Sequence, residues 1–200
     1  YGDDFMFVKT DTQDETADAI CQIYCNEVAQ NGIEQVQILS PFRSDGATSV
    51  EQLNATLREL VNPLNEDAID LKVGNRYFRV GDKVMQTKNN YNIHWESYDE
   101  EGDGIFNGDI GFIETIDMRH DAIIIDFAGK RATYSKEQLQ EIELAYAVTV
   151  HKSQGSEFDA VVMPVISVNS RLCYRNLLYT AVTRAKKLVV LVGLRETMGA

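Results

Sequence analysis

The sequence predicts an α/β protein in which a parallel-sheet domain carries an inserted small antiparallel β-barrel. Three observations lead there. Strand-like and helix-like stretches alternate over the first 71 residues, short β-rich runs crowd residues 72–135, and strand–helix–strand texture returns from residue 136. The expected organisation is one discontinuous domain, 1–71 with 136–200, and an inserted barrel, 72–135.

Taken in order, Phe5–Lys9 reads as a short strand, and Asp11 or Thr12 as the N-cap of a helix running to about Gln30. Ala19, Ile20, Ile23, Tyr24 and Val28 fall at helical spacing, and Asn31-Gly32 stops the helix. Val36–Leu39 is a buried strand ending in Ser40-Pro41, and Val50–Leu60 is amphipathic, with Leu53, Leu57, Leu60 and Val61 on one face. Five strands then follow at Tyr77–Val80, Lys83–Lys88, Ile110–Asp117, Ala122–Phe127 and Arg131–Tyr134. Gly81-Asp82, Asn89-Asn90, Gly108-Asp109 and Ala128-Gly129 separate them, and the acidic stretch Glu96–Gly104 reads as an exposed loop. Beyond the barrel come a buried strand, Ala160–Val165, a helix, Tyr174–Lys186, and a last buried strand, Leu188–Gly193.

Composition excludes several classes. With 200 residues, 44% hydrophobic, 25% charged, 13 Gly and 3 Pro, the chain is neither collagen-like, mucin-like nor wholly disordered. No stretch approaches the roughly 20 apolar residues of a membrane helix, and Tyr1-Gly2-Asp3-Asp4 lacks the basic and apolar regions of a signal peptide. A soluble, cytoplasmic protein without a membrane partner is expected, and a first residue other than Met suggests a piece of a longer chain. The net charge of −12 argues against a nucleic-acid partner, but it is unevenly spread. Residues 1–71 hold 14 acids and 3 bases, whereas 144–200 hold 3 acids and 7 bases, so an anionic ligand belongs at the C-terminal end.

Cys21 and Cys25 lie one helical turn apart, where a disulfide constrains little and a zinc site would lack two ligands; with Cys173 they read as structural thiols. His94 and His120 have no metal-ligand spacing with each other or with the cysteines, and no metal site is expected. Asn54-Ala55-Thr56 fits a glycosylation pattern but lies within an amphipathic helix.

Two polar clusters could carry chemistry. Thr149–Phe158 (TVHKSQGSEF) precedes a buried strand and offers hydroxyls, an imidazole, an ammonium, an amide and a flexible Gly155, a set suited to phosphate and sugar recognition. The alternative is a polar surface loop. Tyr179–Lys187 (YTAVTRAKK) closes a helix with Arg184, whose guanidinium can grip a phosphate in bidentate fashion and stabilise charge during phosphoryl transfer. Here the alternative is a cation favoured at a helix C-terminus, the reading given to Lys186 and Lys187.

Ala147–Phe158 (AVTVHKSQGSEF) resembles motif V of superfamily 1 helicases, and Leu178–Ala185 (LYTAVTRA) resembles motif VI, in wording closest to the RecD-like branch, the exodeoxyribonuclease V alpha subunit and its stand-alone relatives. Ile38–Arg43 (ILSPFR), Gly46, Leu53-Asn54 and Asn62-Pro63 resemble the opening of that family's second RecA-like domain. Gly81–Gln86 (GDKVMQ) with Phe106–Gly111 (FNGDIG) resembles its inserted SH3-like barrel. A P-loop is absent: the only Gly-Lys, Gly129-Lys130, is followed by Arg131 in a predicted hairpin. Ile123–Asp126 imitates a Walker B strand but lacks the following acid.

The resemblance implies the C-terminal half of an ATP-dependent 5′→3′ DNA helicase, inactive alone, with ATP and Mg2+ bound mainly by an absent N-terminal RecA-like domain. Arg184 would be the arginine finger; Gln154, Gly155, Glu157 and Thr183 would face the nucleotide, with Glu157 toward the ribose. Thr149, His151, Lys152, Ser40, Pro41 and Arg43 would face single-stranded DNA, and Tyr91 or Trp95 of the barrel would stack on bases or pack its own core. Implied partners are single-stranded DNA, the preceding domain and possible nuclease or helicase subunits in recombination and repair. Two other readings are a non-enzymatic docking or nucleic-acid-binding module and the helicase part of a conjugative relaxase.

Overall fold

A computed structural model of the chain describes residues 4–65, 70–120, 122–153, 155–166 and 171–194, with 171–175 described by backbone alone. The chain opens with β1 (Phe5–Thr10), α1 (Gln13–Asn31), β2 (Val36–Ser40) and α2 (Val50–Val61). Nine strands follow: β3 (Leu71–Val73), β4 (Arg76–Phe78), β5 (Lys83–Gln86), β6 (Asn90–Glu96), β7 (Glu101–Ile105), β8 (Ile110–Asp117), β9 (Ala122–Phe127), β10 (Lys130–Tyr134) and β11 (Ile142–Leu144). It ends with β12 (Ala147–Thr149), β13 (Phe158–Val165), α3 (Arg171–Arg184) and β14 (Ala185–Leu194). Two compact units result, residues 1–61 with 146–200 and residues 62–145.

The first unit is built on a parallel sheet in the order β1-β14-β13-β2-β12. Its central strands are apolar because both faces are covered, as a parallel sheet requires; β2 is buried throughout and β13 nearly so. α1 begins at Thr12, whose hydroxyl accepts the Glu15 N–H at 3.1 Å while Glu15 accepts the Asp11 N–H at 2.8 Å, a capping exchange that Asp11 as N-cap would not make. Gly32 ends the helix at φ +88, its N–H donated to the Val28 carbonyl. α2 presents Leu53 and Leu57 to the core, and between them Asn54 turns inward. Its amide accepts the Ala147 N–H and donates to the Ala147 carbonyl, both at 2.8 Å, completing the outer side of the edge strand β12. A buried Asn54 also removes the glycosylation reading.

The second unit is a seven-stranded antiparallel sheet, β11-β5-β8-β9-β10-β6-β7, with a β3–β4 ribbon beside it. Val84, Ile93, Ile105, Ile113, Ile123, Ile125 and Phe127 fill one core with Phe78 and Tyr134. Three expectations are corrected here. Residues 96–104 are a loop only at 97–100: β6 and β7 form a hairpin with Glu96 opposite Glu101, and its solvated faces hid the strand alternation, since Ile93, Gly104 and Ile105 are its buried positions. The unit is wider than 72–135, because Arg79 reaches Asp70 at 2.8 Å and the Asn62 carbonyl at 2.9 Å, and β11 pairs with β5. Among the described residues nine strands occur in place of five. Ile123–Asp126 lies in antiparallel β9, where Asp126 accepts the Gly129 N–H at 2.7 Å and closes the turn into β10.

In the first unit the final helix stops at Arg184 and the strand starts one residue later, so Lys186 and Lys187 are strand residues rather than helix C-terminal cations. The run of Val and Leu that follows carries the β preference back through them.

Candidate functional site

In the first unit, β13 and β14 pair from Phe158 opposite Ala185 onward. Glu157 and Arg184 each stand one residue ahead of that pair, so the two polar sequence clusters meet at the N-terminal edge of the sheet. Arg184 is half-buried; its Nη1 donates to the Ser156 carbonyl at 3.4 Å, while its Nε is buried without a hydrogen-bond partner. An unmade buried donor costs roughly 1–3 kcal/mol. An anionic oxygen arriving at this guanidinium would recover that cost and find the planar fork suited to phosphate.

The segment Arg184 leans on is shaped by its own bonds. Residues Val150–Ser153 form a 3-10 turn, closed by the Ser153 hydroxyl donating to the Val150 carbonyl at 2.7 Å and by the Ser156 N–H donating to the Ser153 carbonyl at 3.1 Å. Gly155 is exposed at φ +90 with nothing within 4 Å of a would-be Cβ, so conformation, not crowding, calls for glycine. Glu157 is exposed and meets Lys186 at 3.5 Å; Asp159 meets Lys187 at 2.6 Å. Thr183 is exposed, its hydroxyl donated to the Thr180 carbonyl at 2.9 Å. Gln154 and the Cys173 side chain lie outside the described residues.

The other predicted contacts gather elsewhere. Thr149 pairs with Ser40 across β12 and β2, at the C-terminal edge of the same sheet. Ser40 is fully buried, and its hydroxyl donates to the Thr48 carbonyl at 2.7 Å and accepts the Phe42 N–H at 3.1 Å. It closes the 41–49 loop, with its hydroxyl engaged inside the fold. Pro41, half-buried, and Arg43, exposed, ride on that loop, and the Arg43 carbonyl accepts the Glu51 N–H at 3.1 Å. His151 is exposed and Lys152 half-buried on the 3-10 turn. From Ser40, four residues past Val36, to the level of Phe158, two before Ala160, is about 20 Å along the strands. Thr149 and Ser40 thus stand at one edge of the sheet and Arg184 at the other, and the 150–153 turn that carries His151 and Lys152 joins Thr149 to the segment Arg184 leans on.

Within the second unit, Tyr91 is exposed and meets Phe106 edge-to-face at 5.6 Å. Trp95 packs partly buried on the core, with the Lys130 ammonium 4.4 Å from its ring centroid. Cys21 is buried, and burial pushes its thiol up to about 11. Among the described residues no three His, Cys, Asp or Glu side chains gather where a metal could sit, and no helix is long and apolar enough to cross a membrane. Sequence reasoning missed Asn54 and the Asp159–Lys187 pair. The spacing of Glu157 and Asp159, matched to two consecutive lysines one strand away, was the available signal for the second.

Residues 53–127 match the family model described as the ATP-dependent RecD-like DNA helicase SH3 domain, and residues 144–192 match the UvrD-like helicase C-terminal domain. The ATP-dependent RecD2 DNA helicase of Deinococcus radiodurans is 35% identical over 151 residues, which are 76% of this chain and 19% of that protein. The RecBCD enzyme subunit RecD of Mycolicibacterium smegmatis is 34% identical over 148 residues, 74% of this chain and 23% of the subunit. The chain therefore spans about a fifth of the length of these relatives. Among solved structures, the Pif1 helicase from Bacteroides in complex with ADP-AlF3 and ssDNA shares the fold at a TM-score of 0.50 and 16% identity, over 92% of this chain and 49% of that one.

Proposed function

This chain belongs to the RecD-like superfamily 1 DNA helicases as part of their C-terminal half, and from that premise we propose that it completes the ATP site of its parent and grips single-stranded DNA. Arg184 is the residue that reaches the γ-phosphate held by a preceding P-loop domain, an arginine finger supplied within one polypeptide. The observation that carries this reading is the half-buried guanidinium with an unpartnered Nε at the sheet's N-terminal edge, beside Gly155 and Glu157. Glu157 offers a carboxylate to the ribose hydroxyls, Gly155 lets the backbone approach the nucleotide, and Thr183 and Gln154 are the remaining nucleotide contacts that the resemblance implies. Magnesium belongs to the P-loop domain in this reading.

At the opposite edge Thr149, Pro41 and Arg43, and on the connecting 3-10 turn His151 and Lys152, supply small donors and cations of the kind that hold phosphate oxygens without reading sequence. Nucleotide-driven motion of one sheet carries both edges together, so closure at the Arg184 edge is felt at the Thr149 edge. Translocation 5′→3′ in recombination or repair, alone or with nuclease subunits, is the reading the family suggests. Single-strand-stimulated ATP hydrolysis by the full-length parent tests the proposal. Arg184→Ala should lower it by about 10³–10⁵ with DNA binding retained, and equal hydrolysis by both proteins would refute it.

A further inference from the structure

Between the pairs Phe158–Ala185 and Ala160–Leu188, β13 advances two residues and β14 three. β14 therefore carries a bulge at Lys186 and Lys187, which together oppose the single residue Asp159. Bulges are uncommon in parallel pairs, and they re-aim the side chains around them. Here each lysine reaches a different carboxylate: Lys186 Nζ lies 3.5 Å from Glu157, and Lys187 Nζ 2.6 Å from Asp159. The Asp159 side chain is only 17% exposed against 68% for Lys187, so the short contact anchors a carboxylate that the sheet already holds.

The bulge begins two residues after Arg184, and Asp159 follows Glu157 by two. A shift of one residue in a strand turns every side chain to the other face, so an unbulged β14 would present residue 184 in a different direction relative to Ser156 and Glu157. We infer that this bulge, closed by the Lys187–Asp159 and Lys186–Glu157 pairs, fixes the relative placement of Arg184 and Glu157, with Lys187 and Asp159 as positioning residues. The inference rests on the proposed reading of Arg184 and adds to it residues that touch neither nucleotide nor DNA.

The test is steady-state, single-strand-stimulated ATP hydrolysis by the full-length parent, with thermal midpoints measured alongside. Lys187→Met should lower kcat on the order of tenfold to a hundredfold, the cost of a small misplacement, with KM for ATP and the thermal midpoint little changed. Exchanging the charges, Asp159→Lys with Lys187→Asp, should restore most of that loss. If Arg184→Ala abolishes hydrolysis while Lys187→Met leaves kcat intact, or if the exchange restores nothing, the positioning role is overturned and the arginine finger stands. Should hydrolysis survive Arg184→Ala, the underlying reading fails instead.

Discussion

Arg184 is placed by the residues on either side of it: a helix that ends on it and a strand that starts after it leave its guanidinium against the Ser156 carbonyl. The sequence places one polar cluster just before a buried strand and the other between a helix and the last strand, and only the resemblance to helicase motifs implied that the two meet. The carboxylate partners of Lys186 and Lys187 were not, because a bulge follows from backbone pairing and has no composition of its own. Ser40 is a related case: a serine at a strand end can face a ligand or close its own loop, and its 2.7 Å contact with the Thr48 carbonyl is visible only in the fold. Away from the site, the exposed His120 bonds Asp117 at 2.6 Å, which raises the imidazole above its ordinary 6.5 and lowers the carboxyl below its ordinary 3.8. The raised His contribution is whole below 6.5 and fades as pH rises through its folded value, while the lowered Asp contribution is whole above 3.8 and fades as pH falls. The pair thus contributes in full between pH 3.8 and 6.5 and fades on either side. An NMR titration of His120 should give a midpoint above 6.5 that Asp117→Asn lowers; a midpoint at or below 6.5 would contradict the pairing.

Elements were easier to read where apolar runs were long. β2, β13 and β14 announce themselves as buried strands, α1 as a helix with an N-cap and a stop, and α2 as an amphipathic helix. β6 and β7 escaped because both faces of their hairpin are largely solvated, leaving acids and glycines where alternation would be expected. β12 escaped because three residues carry no period; its outer side is completed by Asn54. Close packing of β13 on β14 depends on Gly193, where an added Cβ would stand 1.8 Å from the Val165 carbonyl oxygen. Gly193→Ala should therefore cost about 1–3 kcal/mol, or more, of unfolding free energy, read from denaturant melts. A variant as stable as the wild type would mean that these strands can separate freely at that point.

For the whole molecule, the division of charge and the division of labour run together. Acids dominate the first 71 residues, while the basic C-terminal segment supplies the cations beside the proposed phosphate contacts. One parallel sheet carries both proposed sites about 20 Å apart, so a rigid sheet can convert a change at one edge into a displacement at the other. The barrel inserted between α2 and β12 leaves that sheet intact because residues 62–145 make their own core. The central claim is that Arg184 acts on the phosphoryl group in transit, and affinity for a transition-state mimic tests it most directly. The wild-type parent, loaded with single-stranded DNA and magnesium, should bind ADP–aluminium fluoride at least about 10²-fold more tightly than ADP, and Arg184→Ala should bring the two affinities close together while ADP binding stays near normal. Retention of the full preference for the mimic in Arg184→Ala would contradict the account.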